Sequence, residues 1–148
     1  GGRVVGVCGG LQMLGERVGS DSVRGLGLLP LRTAYGETKL THRIETHFED
    51  ALGAPWAPLA GRRVRGYEIR HGETETTAPA QVAISDQRGW SQDSVLGVTL
   101  HGIFDDPDLL EALFGRRPER PLDLVLDELT DAVMAGLDRD RLDAIVGR

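Results

Sequence analysis

Cysteine and lysine are almost missing from these 148 residues: each occurs once, as Cys8 and Lys39. A single cysteine excludes an internal disulfide and fits a reducing compartment, so a cytoplasmic location is expected. No apolar run approaches the roughly 20 residues that span a bilayer as a helix, and no signal-peptide pattern is present. No membrane partner is therefore expected. Arginine supplies nearly all the positive charge, without runs, and the net charge is −6, which argues against a nucleic-acid partner. There is no Gly-x4-Gly-Lys-Ser/Thr phosphate loop. His42 and His47 are five residues apart, whereas a helical metal pair needs four, so no metal site is expected. Internal repeats and low-complexity tracts are also absent.

What is present is one domain's worth of chain, with 40% hydrophobic residues, enough for a core. The most informative stretch runs from Val4 to Leu14. Val4–Val7 reads as a buried strand; Leu11, Met13, Leu14 and Val18 follow helical spacing, with an end near Gly19. Cys8 stands between them, flanked by Gly6 and by Gly9-Gly10. Strand, sharp turn and helix with a nucleophile-type residue at the turn is the layout of a nucleophile elbow. Small neighbours relieve clashes in such a turn, a helix N-terminus favours thiolate, and the Gly9 N–H points where an oxyanion would form. A lone cysteine is otherwise a small buried hydrophobe; the flanking glycines favour the nucleophile.

Further along, strands are expected near 38–47, 64–71, 82–84 and 94–100. Residues 51–61 read as a loop, the Thr/Glu-rich 72–80 as an exposed loop, and 85–92 as a hairpin turn. Asp106 is a good N-cap with Pro107 at the first helical position, and Gly115 and Pro118 stop that helix. A second helix is expected over 122–137, and a short third holds Leu142, Ile145 and Val146. The expected fold class is α/β, an open sheet with C-terminal helices.

A thiol attacking an amide needs a base and a proton donor for the leaving amine, and imidazole can be both. His101 follows a strand and precedes Gly102, at the carboxyl edge where open α/β sheets place ligands. His71 likewise ends a strand before Gly72. Gln12 lies one helical turn beyond Cys8 and can face the same pocket. An exposed helix glutamine and hydrogen-bonding structural histidines are the plainer alternatives.

Gly6-Val7-Cys8-Gly9-Gly10-Leu11-Gln12 resembles the nucleophile motif of class I, triad-type glutamine amidotransferases. The blocks Gly66–Gly72 and Gly97–Asp105, together with Gly25–Leu29, resemble the cobyric acid synthase branch, and the similarity runs over essentially the whole chain. The resemblance implies a flavodoxin-like open sheet, Cys8 and His101 as catalytic residues, and Gly9, Gln12 and His71 as substrate-binding residues. It implies L-glutamine as substrate. It also implies ammonia transfer to a corrinoid of the adenosylcobyrinic acid a,c-diamide type, at a synthetase domain using ATP and Mg²⁺. No cofactor is expected on residues 1–148 themselves. These read as the C-terminal portion of the amidotransferase domain, without its upstream part or the synthetase domain.

Two departures stand out. The commoner family form has histidine where this chain has Arg70. The glutamate two residues after the catalytic histidine is here Ile103, as the corrin-amidating branch tends to show, which leaves the orienter of His101 open. A second oxyanion donor comes from an upstream loop in such sites, so the isolated chain is expected to be weak or inactive. The alternatives are an a,c-diamide synthase, a cell-wall lipid II amidating enzyme, a cysteine hydrolase of another elbow fold, and a docking module without activity.

Overall fold

The computed structural model describes residues 2–19 and 23–147. Two sheets organise the chain. The first has the order β1-β7-β6-β5, formed by β1 (Val4–Val7), β7 (Val95–Val98), β6 (Gly89–Gln92) and β5 (Gln81–Ile84). β1 and β7 are parallel, with Val7 opposite Val98, and the remaining pairs are antiparallel. The second sheet has the order β2-β3-β4, from β2 (Arg17–Val18), β3 (Leu31–His47) and β4 (Arg63–Thr76). This is an open, mixed-sheet α/β fold with C-terminal helices.

β7 lies inside its sheet and is buried along its whole length, as expected where both faces are covered. Leu96 and Val98 join Phe48, Trp56, Leu59, Val64, Ile103, Leu109 and Leu113 in one core. Val95 joins Leu11, Leu14, Leu29, Leu31 and Trp90 in another. Helix α1 (Gly9–Leu14) covers this second face, and α2 (Pro107–Phe114) contributes to the first.

The first helix is shorter than its apolar spacing predicts. It stops at Leu14, and residues 17–18 pair with β3 as β2. The segment after the turn supplies the reason. The N–H groups of Leu26, Gly27, Leu28 and Leu29 donate to the carbonyls of Met13, Gly15 and Leu14 at 2.8–2.9 Å. These bonds satisfy acceptors that a helix end leaves open. Val18 therefore continues as strand, although its spacing suits a helix.

The β3–β4 hairpin is longer than expected at one end, where Leu31 pairs with Thr76. β3 begins at Leu31, and β4 continues to Thr76 through residues assigned above to an exposed loop. Composition misleads here because alternation decides. On β4 the even positions face inward, and the Thr74 and Thr33 hydroxyls meet at 2.9 Å. Outward-facing Glu75 pairs with Arg32. The ladder breaks between Ala34 and Lys39, opposite Gly72. Gly72 has φ +112, and a Cβ there would meet the Ala34 carbonyl oxygen at 1.9 Å. Only glycine fits this bulge.

The C-terminal helices follow their expected signals. The Asp106 carboxylate accepts from the N–H groups of Asp108 and Leu109 at the start of α2. Helix α3 (Leu122–Gly136) buries none of its residues. Asp138 caps α4 (Arg139–Val146). Among the described residues no helix is long and apolar enough to cross a membrane.

Candidate active site

Cys8 sits directly after β1 and before α1, with φ 50 and ψ −107. A non-glycine residue in that region is strained, by about 1–3 kcal/mol. The sharpness of the turn rests on one of its three glycines. A Cβ on Gly6 would meet backbone atoms of Gly10 at 2.8 Å, while Gly9 and Gly10 have nothing within 4 Å of theirs. The strand thus runs tight beneath the helix, and the helix start is open. The Cys8 N–H donates to the Val98 carbonyl at 2.8 Å, extending the β1–β7 ladder by one residue. Its thiol donates to the Ile69 carbonyl at 3.6 Å.

A small cleft over the thiol is lined by Cys8, Leu11, Gln12, Arg70, Gly72, Thr74 and Thr99. Gln12 is placed as expected, one turn along α1, and its Oε1 lies 3.4 Å from the donating Tyr35 hydroxyl of β3. Gly9 is the first residue of α1, where N–H groups have no intrahelical partner and are free to meet an anion. The back of the cleft is polar. Glu68 is buried and accepts from the Thr99 hydroxyl at 2.5 Å. The guanidinium groups of Arg70 and Arg88 stand 3.8 Å from its two oxygens.

His71 is not brought to this cleft. It is exposed on the odd-numbered face of β4, opposite Lys39, and Arg70 takes the inward position. The expectation for His71 treated the strand end as the determinant, whereas the two-residue alternation of β4 decides which side chain faces Cys8. The same alternation singles out Glu68, which no local motif marks, and Arg70, which in sequence stands out only as a departure from the commoner family form.

His101 lies three residues beyond β7 rather than at its end. It forms an isolated bridge with Tyr67, its N–H donating to the Tyr67 carbonyl at 2.8 Å and the Tyr67 N–H returning at 3.2 Å. The two rings stack at 5.1 Å with 7° between their planes. The His101 Nε2 is buried and has no hydrogen-bond partner among the described residues. Cys8 and His101 follow the adjacent parallel strands β1 and β7, so both occur at the same carboxyl edge. Both are also fastened to β4, at Ile69 and Tyr67. Of the remaining histidines, exposed His47 shares a hydrogen bond with Ser85, and His42 lines a groove with Tyr67 and Asp105. No group of three or more His, Cys, Asp or Glu side chains suited to a metal occurs among the described residues.

Comparison with known proteins gives this geometry a context. The model of the CobB/CobQ-like glutamine amidotransferase domain matches residues 1–109. The cobyric acid synthase of Methylibium petroleiphilum is 42% identical over 147 residues, covering 88% of this chain and 28% of that protein. That of Paracidovorax citrulli is 46% identical over 147 residues, covering 90% and 29%. That of Acidovorax sp. strain JS42 is 42% identical over 162 residues, covering all of this chain and 32% of the relative. The chain thus spans about three tenths of the length of these relatives. With three quarters of its residues matched by the family and its cysteine at the strand–helix junction, the chain belongs to the CobB/CobQ-like glutamine amidotransferase domain family.

Proposed function

We propose that this chain is the glutamine-hydrolysing part of a cobyric acid synthase, releasing ammonia for amidation of corrin-ring carboxylates. Cys8 is the nucleophile of a nucleophile elbow in a flavodoxin-like class I amidotransferase domain, of which residues 1–148 form a portion. The observation that carries the reading is the strained backbone of Cys8 at the carboxyl edge of β1, beside the strand that leads to His101. Strain of this kind persists where the surrounding structure holds it and concentrates at active sites.

His101 takes the Cys8 proton as the sulfur attacks the side-chain amide carbon of glutamine. The Gly9 N–H stabilises the oxyanion. Collapse breaks the C–N bond, and the imidazolium gives its proton to the departing ammonia. Water, deprotonated by the same imidazole, then cleaves the γ-glutamyl thioester to glutamate and free thiol. Gln12 binds polar groups of the substrate. The ATP-dependent step and the corrinoid are assigned to the parts of the longer relatives that this chain, about three tenths of their length, does not cover, and a cytoplasmic location goes with that pathway.

The test is intact mass after incubation with a diazoketone analogue of glutamine. The expected result is saturable single labelling that excess glutamine blocks and that Cys8→Ser abolishes. Labelling no faster than a simple thiol, and indifferent to glutamine, would mean that this chain by itself has no working glutamine pocket and acts as a docking module.

A further inference from the structure

We propose that Tyr67 is the positioning residue for His101, its ring doing the orienting work that a carboxylate performs in a Ser-His-Asp-type triad. The inference rests on the reading of His101 as the base. A catalytic imidazole must be held in one direction, and a third group hydrogen-bonded to the ring usually does this. Among the described residues His101 has no such group. Its Nε2 is buried and unpartnered, and its imidazole makes no hydrogen bond with the described residues. Of the nearby carboxylates, Asp106 caps α2, and Asp105, whose Oδ2 stands beside Gly102, makes no hydrogen bond to the buried Nε2. Ile103, two residues on, is committed to the core.

What does define the ring is Tyr67. The near-parallel stack at 5.1 Å lies within the range of favourable aromatic pairs. Two backbone hydrogen bonds lock the residues that carry the rings into direct opposition. The neighbouring Gly66 makes that approach possible, since a Cβ there would meet the His101 carbonyl oxygen at 2.1 Å. A flat face on one side restricts the imidazole's rotation while leaving Nε2 unpartnered. Tyr67 is itself 42% exposed. Burial therefore does not account for an aromatic residue at this point of β4, and its ring can be removed without opening the core.

The experiment compares Tyr67→Phe, Tyr67→Leu and Tyr67→Val in the 148-residue chain. Two quantities are read: the His101 Cε1–H resonance, and the Cys8 labelling kinetics with the diazoketone glutamine analogue. Valine is included because it is at home in a strand. Phenylalanine is expected to keep both the ring-current displacement of His101 and the labelling rate. Leucine and valine are expected to lose the displacement and to lower the maximal labelling rate by about tenfold or more, towards the roughly 10² that misplacement of a reacting group costs. The half-saturating probe concentration is expected to stay unchanged. Labelling at the parental rate after the displacement is lost would overturn the assignment. So would a phenylalanine variant as slow as leucine, or an effect confined to half-saturation. His101→Asn separates the two claims. If it labels at the parental rate, the base reading itself fails. If it is slow while Tyr67→Leu is not, only the role of Tyr67 fails.

Discussion

Glu68 is a carboxylate held out of water behind the thiol, with one hydroxyl donor and two guanidinium groups around it. Removing one side of a buried pair leaves uncompensated charge, a loss of about 3–5 kcal/mol. The arginine side chains keep 32% and 23% of their exposure, so water recovers part of that loss. Glu68→Ala is expected to cost about 3 kcal/mol, at the low end of the range. Glu68→Gln retains an acceptor for Thr99 and should cost about half as much. Urea unfolding, at unchanged slope, reads both. Cys8 is the complementary case, a residue whose backbone is strained in place. Cys8→Gly removes that strain of about 1–3 kcal/mol and adds glycine's chain entropy of roughly 0.5–1 kcal/mol. The variant should be at least as stable as the parent in the same urea titration while losing all labelling.

At the scale of elements, the β3–β4 hairpin frames the site, because Ile69, Tyr67, Arg70 and Thr74 of one strand meet Cys8, His101 and the cleft. Its bulge depends on Gly72. Gly72→Ala would put a methyl group into the Ala34 carbonyl at a φ of +112, and should cost at least about 2 kcal/mol. The loss should be local, as faster amide exchange over residues 31–34 and 73–76, with the β1-β7-β6-β5 sheet retaining its protection. Most strands were legible in sequence through alternation, but β6 was not, since Gly89–Gln92 fell within the expected hairpin turn. The strand lengths were not legible either, because Thr/Glu-rich residues 72–76 look like loop until a partner strand is present. The end of α1 was hidden for a similar reason: its carbonyls are capped by a segment a dozen residues away.

For the molecule as a whole, the core ends with α2. Leu109 and Leu113 are buried in it, whereas α3 buries nothing although Leu122, Val125, Leu126, Leu129 and Val133 recur at helical spacing. A chain ending at Pro118 is therefore expected to unfold within about 0.5 kcal/mol of the parent, the range of changes away from packed features. Thermal or urea unfolding followed by tryptophan fluorescence would report it, since Trp56 and Trp90 both lie in the cores. A substantially larger loss would mean that α3 packs on the sheet layer.

The sequence by itself determined the strand–cysteine–helix order, the α2 cap, the candidate pair Cys8 and His101, and the family resemblance. All of these are written in short local patterns. Tertiary structure alone decided which face of β4 meets the thiol, hence Arg70 over His71, and that Glu68 is buried. It also decided that Tyr67 covers His101. Those outcomes depend on strand register and on contacts between residues more than thirty positions apart. A shift of one residue in the β3–β4 ladder would exchange every inward side chain for its neighbour.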